Sequence, residues 1–241
     1  MTATNDSLDL LRLFHKTIPQ TNEAINLFPA DFDNFTSLTL SDYYNFEMRL
    51  SPQLKDSLPD FISLAVETAF YEKDTQQAIA LRFLDDNLVK ETLLETDKIE
   101  TFRDVDIYPF NLKTIFKSSF EPFISMDAVT TVFKLNNFYV FTENIATAKK
   151  LIVDYSNNNT IAQSPAFLNI AENLSNESSL LILKNNKSLN TMITQLLGNK
   201  NKLSAKDYNL NAIQLIYEDY FAHINGVFSS QNGKKSNKNV E

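Results

Sequence analysis

The sequence predicts an α+β fold, in which antiparallel β-hairpins form one or two sheets and amphipathic helices cover one face of them. Three observations carry this prediction. Pairs of alternating apolar segments are joined by short polar turns, which antiparallel strands permit and parallel strands do not. Segments with an apolar stripe at helical spacing lie between those pairs. With 241 residues, 43% of them hydrophobic, the chain is long enough to bury a substantial core.

The first third of the chain alternates between helices and strands. An apolar stripe over residues 7–17 predicts an opening helix that ends at a proline. Alternation over residues 35–40 predicts a strand, and Ser41 begins the capped helix that follows it. Another short helix is predicted from Ser51, which is followed by a proline.

The first predicted hairpin has a register that can be derived. A four-residue turn over residues 73–76 places Phe70 opposite Ile79 on the face that should meet the core. The same register places Glu67 opposite Arg82 on the other face. We interpret these two charges as a surface ion pair, which contributes well under about 1 kcal/mol when it is exposed.

The middle of the chain contains the second predicted hairpin. A helix is expected over residues 86–95 and a strand over residues 99–107. Asn136 and Asn137 then separate two apolar segments, and asparagine tolerates the left-handed conformation that a two-residue turn requires. The segments on either side of this turn should therefore pair residue by residue.

Helices and strands alternate again toward the C-terminus. A helix over residues 144–155 is followed by one that begins at Ser164, where a proline occupies the first helical position. The nearly all-apolar run at residues 179–183 predicts a central strand, because such a strand is buried on both faces. Ser188 then caps a further predicted helix.

A third hairpin and a weak internal repeat complete the predicted organisation. Residues 211–228 should form a hairpin that turns at Asn225 and Gly226, the strongest two-residue turn signal in the chain. A strand followed by a capped helix occurs near residue 35 and again near residue 179. The chain is accordingly divided into an N-terminal α+β half at 1–125, a C-terminal α+β half at 126–230, and a disordered tail or linker at 231–241.

The composition excludes several classes of function. The chain has no cysteine and only three glycines, which removes thiolate metal sites, cysteine nucleophiles and glycine-rich phosphate-binding loops, and no cofactor is predicted. A net charge of -8 argues against nucleic acid as a partner, because phosphate binding needs a basic face. No stretch has the roughly 20 consecutive apolar residues of a transmembrane helix, so no transmembrane segment is predicted.

Paired carboxylates are the only abundant groups suited to acid–base catalysis. Asp104 and Asp106 stand two residues apart, so a strand would present both on one face. Solvated acidic side chains are the more common explanation of such a pair. His15 is interpreted as a cation at a helix end and His223 as a hydrogen-bonded strand residue, since neither has a second histidine at metal-ligand spacing. The sequence therefore predicts no catalytic, cofactor-binding or metal-ligating residue, and the protein is not expected to be an enzyme.

Phenylalanine is unusually frequent, with 19 copies, and aromatic residues crowd an irregular segment in the middle of the chain. Either this segment folds over the core, which is the usual place of aromatic residues, or it exposes an apolar surface for a protein partner or a lipid-like ligand. The candidate surface consists of Phe102, Tyr108, Phe110, Phe116, Phe120 and Phe123.

One stretch resembles a known family. The strand and helix cap at 139–144, the helix at 145–155, an asparagine-rich loop and the sequence at 164–167, Ser-Pro-Ala-Phe, resemble a family of uncharacterised bacterial envelope proteins that is classed only as a domain of unknown function. The resemblance covers residues 130–183. It implies a lipoprotein-like protein, periplasmic or associated with the outer membrane, whose leader and lipid-attachment cysteine are absent from this chain. A cytoplasmic location is the alternative. No catalytic residue carries over from the family.

The expected function is a non-catalytic binding or scaffolding module of the bacterial cell envelope that contacts another envelope protein. A carrier of an apolar or lipid-like ligand is the alternative, and a hydrolase that uses paired acids is the third candidate. An exposed aromatic patch on a sealed core would favour the first. An enclosed apolar cavity would favour the second, and two facing carboxylates in a cleft the third.

Overall fold

The structure is a computed structural model of the 241-residue chain. It describes residues 13–15, 17–50, 59–94, 96–184, 208–218 and 221–230. Within these residues the strands are β1 (Gln20–Thr21), β2 (Asn34–Thr39), β3 (Ala65–Lys73), β4 (Gln76–Phe83), β5 (Glu100–Phe102), β6 (Val105–Pro109), β7 (Thr131–Leu135), β8 (Phe138–Thr142), β9 (Glu177–Ser178), β10 (Leu180–Lys184), β11 (Tyr208–Glu218) and β12 (Phe221–Ser230). The α-helices are α1 (Tyr43–Leu50), α2 (Asp60–Ser63), α3 (Asp86–Leu94), α4 (Ile145–Ser156) and α5 (Pro165–Ala171).

Ten of these strands form one antiparallel sheet, in the order β12-β11-β10-β2-β3-β4-β8-β7-β6-β5. The two short strands β1 and β9 pair separately. The α+β class predicted from the sequence is confirmed. The predicted central position of the apolar run at 179–183 is confirmed as well, because β10 pairs with β2 on one side and β11 on the other.

Both faces of the sheet are buried. On the first face, Leu38 and Ile79 pack in a cluster that includes buried residues of α1, α2 and α3. On the second face, Phe35 and Tyr71 pack in a cluster that includes buried residues of α4, α5 and the short 3-10 helix Glu23–Asn26. The expectation that helices cover only one face is therefore wrong. The reason is that the central strands carry apolar residues at both odd and even positions, so neither face can be left in water.

The first two hairpins have the predicted register. Phe70 lies opposite Ile79 and Glu67 opposite Arg82, with a bulge after Ala65 that the alternation did not reveal. In the second hairpin, β7 and β8 pair as predicted on either side of the two asparagines. Asn136 has a φ of 53°, which is the left-handed conformation that made asparagine suitable for the turn.

The third hairpin exists, but its predicted turn is wrong. β11 pairs with β12 from Tyr208 to Glu218, and Gly226 lies opposite Ile213 in the middle of the ladder. Asn225 and Gly226 are therefore strand residues, and the connection falls at residues 219–220, outside the described residues. The apolar residues around Gly226 continue the alternation of an extended strand, which outweighs the local turn preference of the Asn-Gly pair.

The predicted strand over residues 99–107 is a tight hairpin. β5 and β6 pair with each other, and Arg103 and Asp104 form the turn with φ values of 48° and 63°. Neither residue is a glycine, so the sequence contained only a weak signal for a left-handed turn. Asp104 therefore does not share a strand face with Asp106, and the geometric basis for treating them as a pair is lost.

The predicted helices within the described residues are confirmed. Asn144 caps α4 by accepting a hydrogen bond from the Thr147 N–H at 2.9 Å, and Ser164 caps α5 by accepting from the Phe167 N–H at 3.2 Å. The helices predicted from Ser51 and Ser188, most of the opening helix and the tail at 231–241 lie outside the described residues. None of the helices that the structure describes is long and apolar enough to cross a membrane.

The sheet continues across the predicted boundary at residue 125, because β4 pairs with β8 along five residues. Both core clusters contain residues from either side of this boundary. The division into two halves stays a prediction.

Candidate interaction surface

The crowded aromatic segment folds over the core, which is the first of the two alternatives considered. Phe110, Phe116 and Phe120 are buried, and the rings of Phe110 and Phe116 each lie 4.9 Å from the ring of Phe141 in β8. These three rings cannot contribute to an exposed surface. Tyr108 and Phe123 are partly buried against the same cluster.

Phe102 lies apart from the other five candidates, on the second face of the sheet. Two cations approach its ring, Lys149 with its Nζ 5.4 Å from the ring centre and Arg103 at 6.0 Å. The six aromatic residues selected from the sequence therefore do not form one surface. The burial of Phe110, Phe116 and Phe120 follows from the ordinary tendency of phenylalanine to enter the core.

Two of the described acidic residues form hydrogen-bonded ion pairs with lysines. Asp106 accepts hydrogen bonds from Thr101 and, at 2.9 Å, from Lys98, and these two donors lower the pKa of its carboxyl. The pKa of Asp86 is lowered in the same way by Lys134 first and also by Tyr139. Among the described residues, no group of three or more His, Cys, Asp or Glu side chains is placed to hold a metal ion.

The two histidines occupy unrelated places. His15 contacts the hydroxyl of Tyr217 through Nδ1 at 3.1 Å. His223 is exposed in β12, which agrees with its interpretation as a strand residue. Neither position suggests a base or a ligand.

The burial of the Glu67 carboxylate is not predicted from the sequence. Glu67 was expected on the surface, but its side chain is completely buried. Its Oε1 accepts hydrogen bonds from the Ala24 N–H and from Ser37 Oγ, both at 2.9 Å. Its Oε2 accepts from the Glu23 N–H at 3.1 Å and from Arg82 Nε at 3.3 Å. Removal from water raises the pKa of the Glu67 carboxyl, and this effect exceeds the opposing one of the four donors.

A row of polar side chains continues from Glu67 across the same face. Asn22 donates from Nδ2 to Ser37 Oγ at 3.0 Å, Ser178 donates to Asn22 Oδ1 at 2.5 Å, and Thr39 donates to the Ser178 carbonyl at 2.8 Å. All four of these residues are buried. The network fastens the segment before β2 and the short strand β9 to the sheet. Because protein donors occupy both oxygens of Glu67, we assign this network a structural role.

The two edges of the large sheet differ sharply, and this difference defines the candidate site. The β5 edge is three residues long and is surrounded by charges: Glu100 pairs with Lys149 at 2.8 Å, and Lys98 pairs with Asp106 at 2.9 Å. Short strands and charged side chains are the devices by which proteins prevent edge strands from pairing with other chains. The β5 edge is therefore protected.

The β12 edge has none of these protections. The strand is ten residues long, with the sequence FAHINGVFSS, and contains no lysine, arginine, aspartate, glutamate or proline. Among the residues that the structure describes, no strand lies beside its outer edge. We call the outer backbone edge of β12, residues 221–230, the open edge. Such an edge is a template for the addition of another strand.

The register shows which backbone groups point outward from the open edge. The Leu215 carbonyl accepts from the Ser179 N–H at 2.9 Å, so Leu215 directs its backbone groups toward β10. Backbone groups alternate in direction along a strand, so Ile216 points toward β12 and bonds with its register partner, His223. The same alternation directs another set of β12 backbone groups away from β11: those of Ala222, Ile224 and Gly226.

Apolar side chains remain exposed near this edge. Phe221 in β12 is 56% exposed and Leu168 in α5 is 54% exposed, and α5 packs against β11 and β12. The strand itself is held firmly, because Asn225 Nδ2 donates to the Asn173 carbonyl at 2.8 Å. The edge thus combines a fixed backbone with uncovered apolar surface, as a binding edge should.

Comparisons of the chain with protein-family models, with curated proteins and with solved structures found no match.

Proposed function

We propose that the protein is a non-catalytic binding module that takes up an extended segment of a protein partner along the open edge of β12. The observation that carries the proposal is a ten-residue, uncharged edge strand in a sheet whose other edge is blunted by ion pairs. Strand addition of this kind obtains affinity from main-chain hydrogen bonds and specificity from alternate side chains. A place in the bacterial cell envelope, with another envelope protein as the partner, follows from the sequence resemblance and is part of the proposal.

An internal comparison within the sheet supports this proposal. β2 and β10 lie side by side and antiparallel, the hairpin β3–β4 extends from β2, and the hairpin β11–β12 extends from β10. We propose that these are the two similar halves that the sequence repeat suggested. In this correspondence β12 is the counterpart of β4. The outer edge of β4 is occupied by β8, so the corresponding edge of β12 is where an added strand would extend the same architecture.

The aromatic rings in the middle of the chain pack closely against one another. This packing gives the alternative function, a carrier of an apolar ligand, less support than strand addition has. The rings of Phe116 and Phe120 are stacked with their centres 6.4 Å apart, and Phe110 lies 6.5 Å from Phe116. Other rings of the protein thus occupy the space around each of them. The carrier function is therefore the weaker of the two candidates.

Site-specific photo-crosslinking in the organism that makes the protein tests the proposed function. A photoreactive phenylalanine analogue replaces Phe221 at the open edge, and the same analogue replaces Leu84, which is 84% exposed elsewhere. We expect a discrete crosslinked protein from position 221 and none from position 84. The absence of any crosslink at position 221 would count against strand addition at β12.

A backbone variant connects the crosslink to the proposed mechanism. Ile224→Pro removes an N–H that points outward, and proline is tolerated in edge strands at such positions. We expect this variant to lose the crosslink from position 221. Ile224→Ala is the matched control, since it removes side-chain contacts with the core but keeps the N–H, and it should retain the crosslink.

A further inference from the structure

From the self-complementarity of β12 we infer that a second copy of this chain occupies the open edge, with the two β12 strands antiparallel about a two-fold axis at Asn225. This inference rests on the proposed function, because it names the partner for the same edge. The midpoint of the ten-residue strand lies between Asn225 and Gly226, so an axis at Asn225 pairs nine of its ten residues.

The outward backbone groups of the two copies face each other across the axis. With the axis at Asn225, Ile224 of one copy lies opposite Gly226 of the other, and both residues direct their N–H and C=O groups outward. Each such pair can exchange both hydrogen bonds of an antiparallel ladder. The axis produces this pair twice, on either side of Asn225. The two Asn225 residues then form a non-hydrogen-bonded pair, with Cα atoms about 4.5 Å apart.

The side chains of two copies also match in size. On the first face of the sheet, Ile224 meets Gly226, which has no side chain, and Ala222 meets Phe228. On the second face, the exposed Phe221 meets Ser229. Three of the cross-strand pairs thus combine a large side chain with a small one, which favours close packing. At the remaining positions His223 meets Val227 and Asn225 meets its own copy. The Phe228 ring lies 3.2 Å from the position that a Cβ of Gly226 would occupy, so a larger residue at 226 would disturb the ring beside it.

Charge permits a second copy at this edge, although not over most of the surface. The chain carries a net charge of -8, so two copies repel each other over most approaches. β12 contains no formally charged side chain, and the paired strands place no like charges opposite each other. A closed two-fold pairing also removes the open edge from both copies, which leaves only the charge-protected β5 edges at the two ends of the joined sheet.

Charge substitution at the axis provides the test. Asn225→Lys and Asn225→Asp each place two like-charged residues directly opposite each other, with their Cα atoms about 4.5 Å apart in the paired strands. Sedimentation analysis of the wild-type full chain, from about 1 µM to about 100 µM, should show a monomer–dimer equilibrium. We expect each charge variant to weaken dimerisation at least about tenfold, because like charges at an interface are strongly unfavourable. An equimolar mixture of the two variants should restore a dimer that contains one copy of each.

A control variant separates charge from local structure. Asn225→Ala loses the same hydrogen bond to Asn173 as the charged variants do, and it should still dimerise. Thermal unfolding checks that all three variants remain folded. Single charge variants that dimerise as well as the wild type, or a mixture that fails to dimerise, would overturn the inference.

Amide hydrogen exchange distinguishes failure of this inference from failure of the proposed function. If the wild-type chain is a monomer throughout and the Ile224 and Gly226 amides exchange rapidly, the second copy is ruled out while the edge remains open to another protein. If the chain is a monomer and those amides exchange slowly, another segment of the same chain covers the edge. That result would overturn both the second copy and strand addition.

Discussion

Removal of the buried carboxylate at Glu67 should destabilise the protein strongly. Glu67→Ala leaves four donors without their acceptor: two backbone N–H groups at residues 23 and 24, the hydroxyl of Ser37, and Nε of Arg82. A buried donor without an acceptor costs about 1–3 kcal/mol, and breaking a buried ion pair by removal of one partner costs about 3–5 kcal/mol. We therefore expect the free energy of unfolding to fall by about 3–5 kcal/mol.

Urea unfolding followed by circular dichroism measures this change. With an m-value of about 2–3 kcal/mol per molar urea, the midpoint should fall by about 1–2.5 M. Glu100→Ala is a suitable control, because Glu100 forms a partly exposed ion pair with Lys149, and its loss should cost less than about 1 kcal/mol. A loss below about 1 kcal/mol for Glu67→Ala would refute the reasoning, since it would mean that water reaches the carboxylate or its donors.

The pH dependence of the same site has a definite sign. Burial raises the pKa of Glu67 above its unfolded value, so the folded protein binds the proton more tightly than the unfolded chain does. The stability from this group is present below the unfolded pKa and is lost as the pH rises through the folded pKa. Glu67→Gln cannot titrate. The stability of the wild type relative to Glu67→Gln should therefore decrease as the pH rises above the unfolded pKa of about 4.3, by at most about 1.4 kcal/mol per pH unit. A relative stability that increases with pH would show that the four donors outweigh burial.

Three further predictions concern local structure and its charges. Asn144→Ala removes the cap of α4 and should lower the free energy of unfolding by about 1 kcal/mol in urea titrations. Asn144→Ser should retain most of the stability that the cap contributes, because serine also caps helices. Asn136→Val places a β-branched residue at a φ of 53° and should cost at least about 1–2 kcal/mol, while Asn136→Gly should be nearly neutral; equal melting temperatures would exclude a left-handed turn. Lys134 lowers the pKa of Asp86, so the stability from this pair is present above the unfolded pKa of the carboxyl and is lost as the pH falls through the folded one. NMR titration of the Asp86 carboxyl in Lys134→Met should show a higher pKa than in the wild type, and an unchanged value would contradict the assigned cause.

The local features of the fold were predictable because they depend on neighbours in sequence. The register of the hairpin at 65–83 follows from the turn length and the period of two, and the caps at Asn144 and Ser164 follow from residue type and spacing. The turn at Arg103 and Asp104 is not predicted, because neither residue is a glycine and the sequence around them predicts one continuous strand. The turn signal at Asn225 and Gly226 was misleading, because the strand pairs with β11 along its whole length.

The candidate site was less predictable than the fold. The aromatic residues drew attention by number, yet the core takes up three of the six. The open edge of β12 became visible only once the order of the strands was known. Its one signal in the sequence is the absence of charge and proline over ten consecutive residues, and that pattern is equally typical of a strand in the middle of a sheet.

The sequence by itself determined the α+β class, the pairing within hairpins and the helix starts, because the alternation of side chains, turn residues and caps act over a few residues. Only the tertiary structure decided which hairpins become neighbours, which strand lies at an edge, and whether Glu67 meets water or four donors. Those outcomes depend on packing between segments far apart in the chain. The free energy of burying both faces of the sheet exceeds the preferences of any single segment, and so the environment of each strand is fixed by partners that its own residues do not specify.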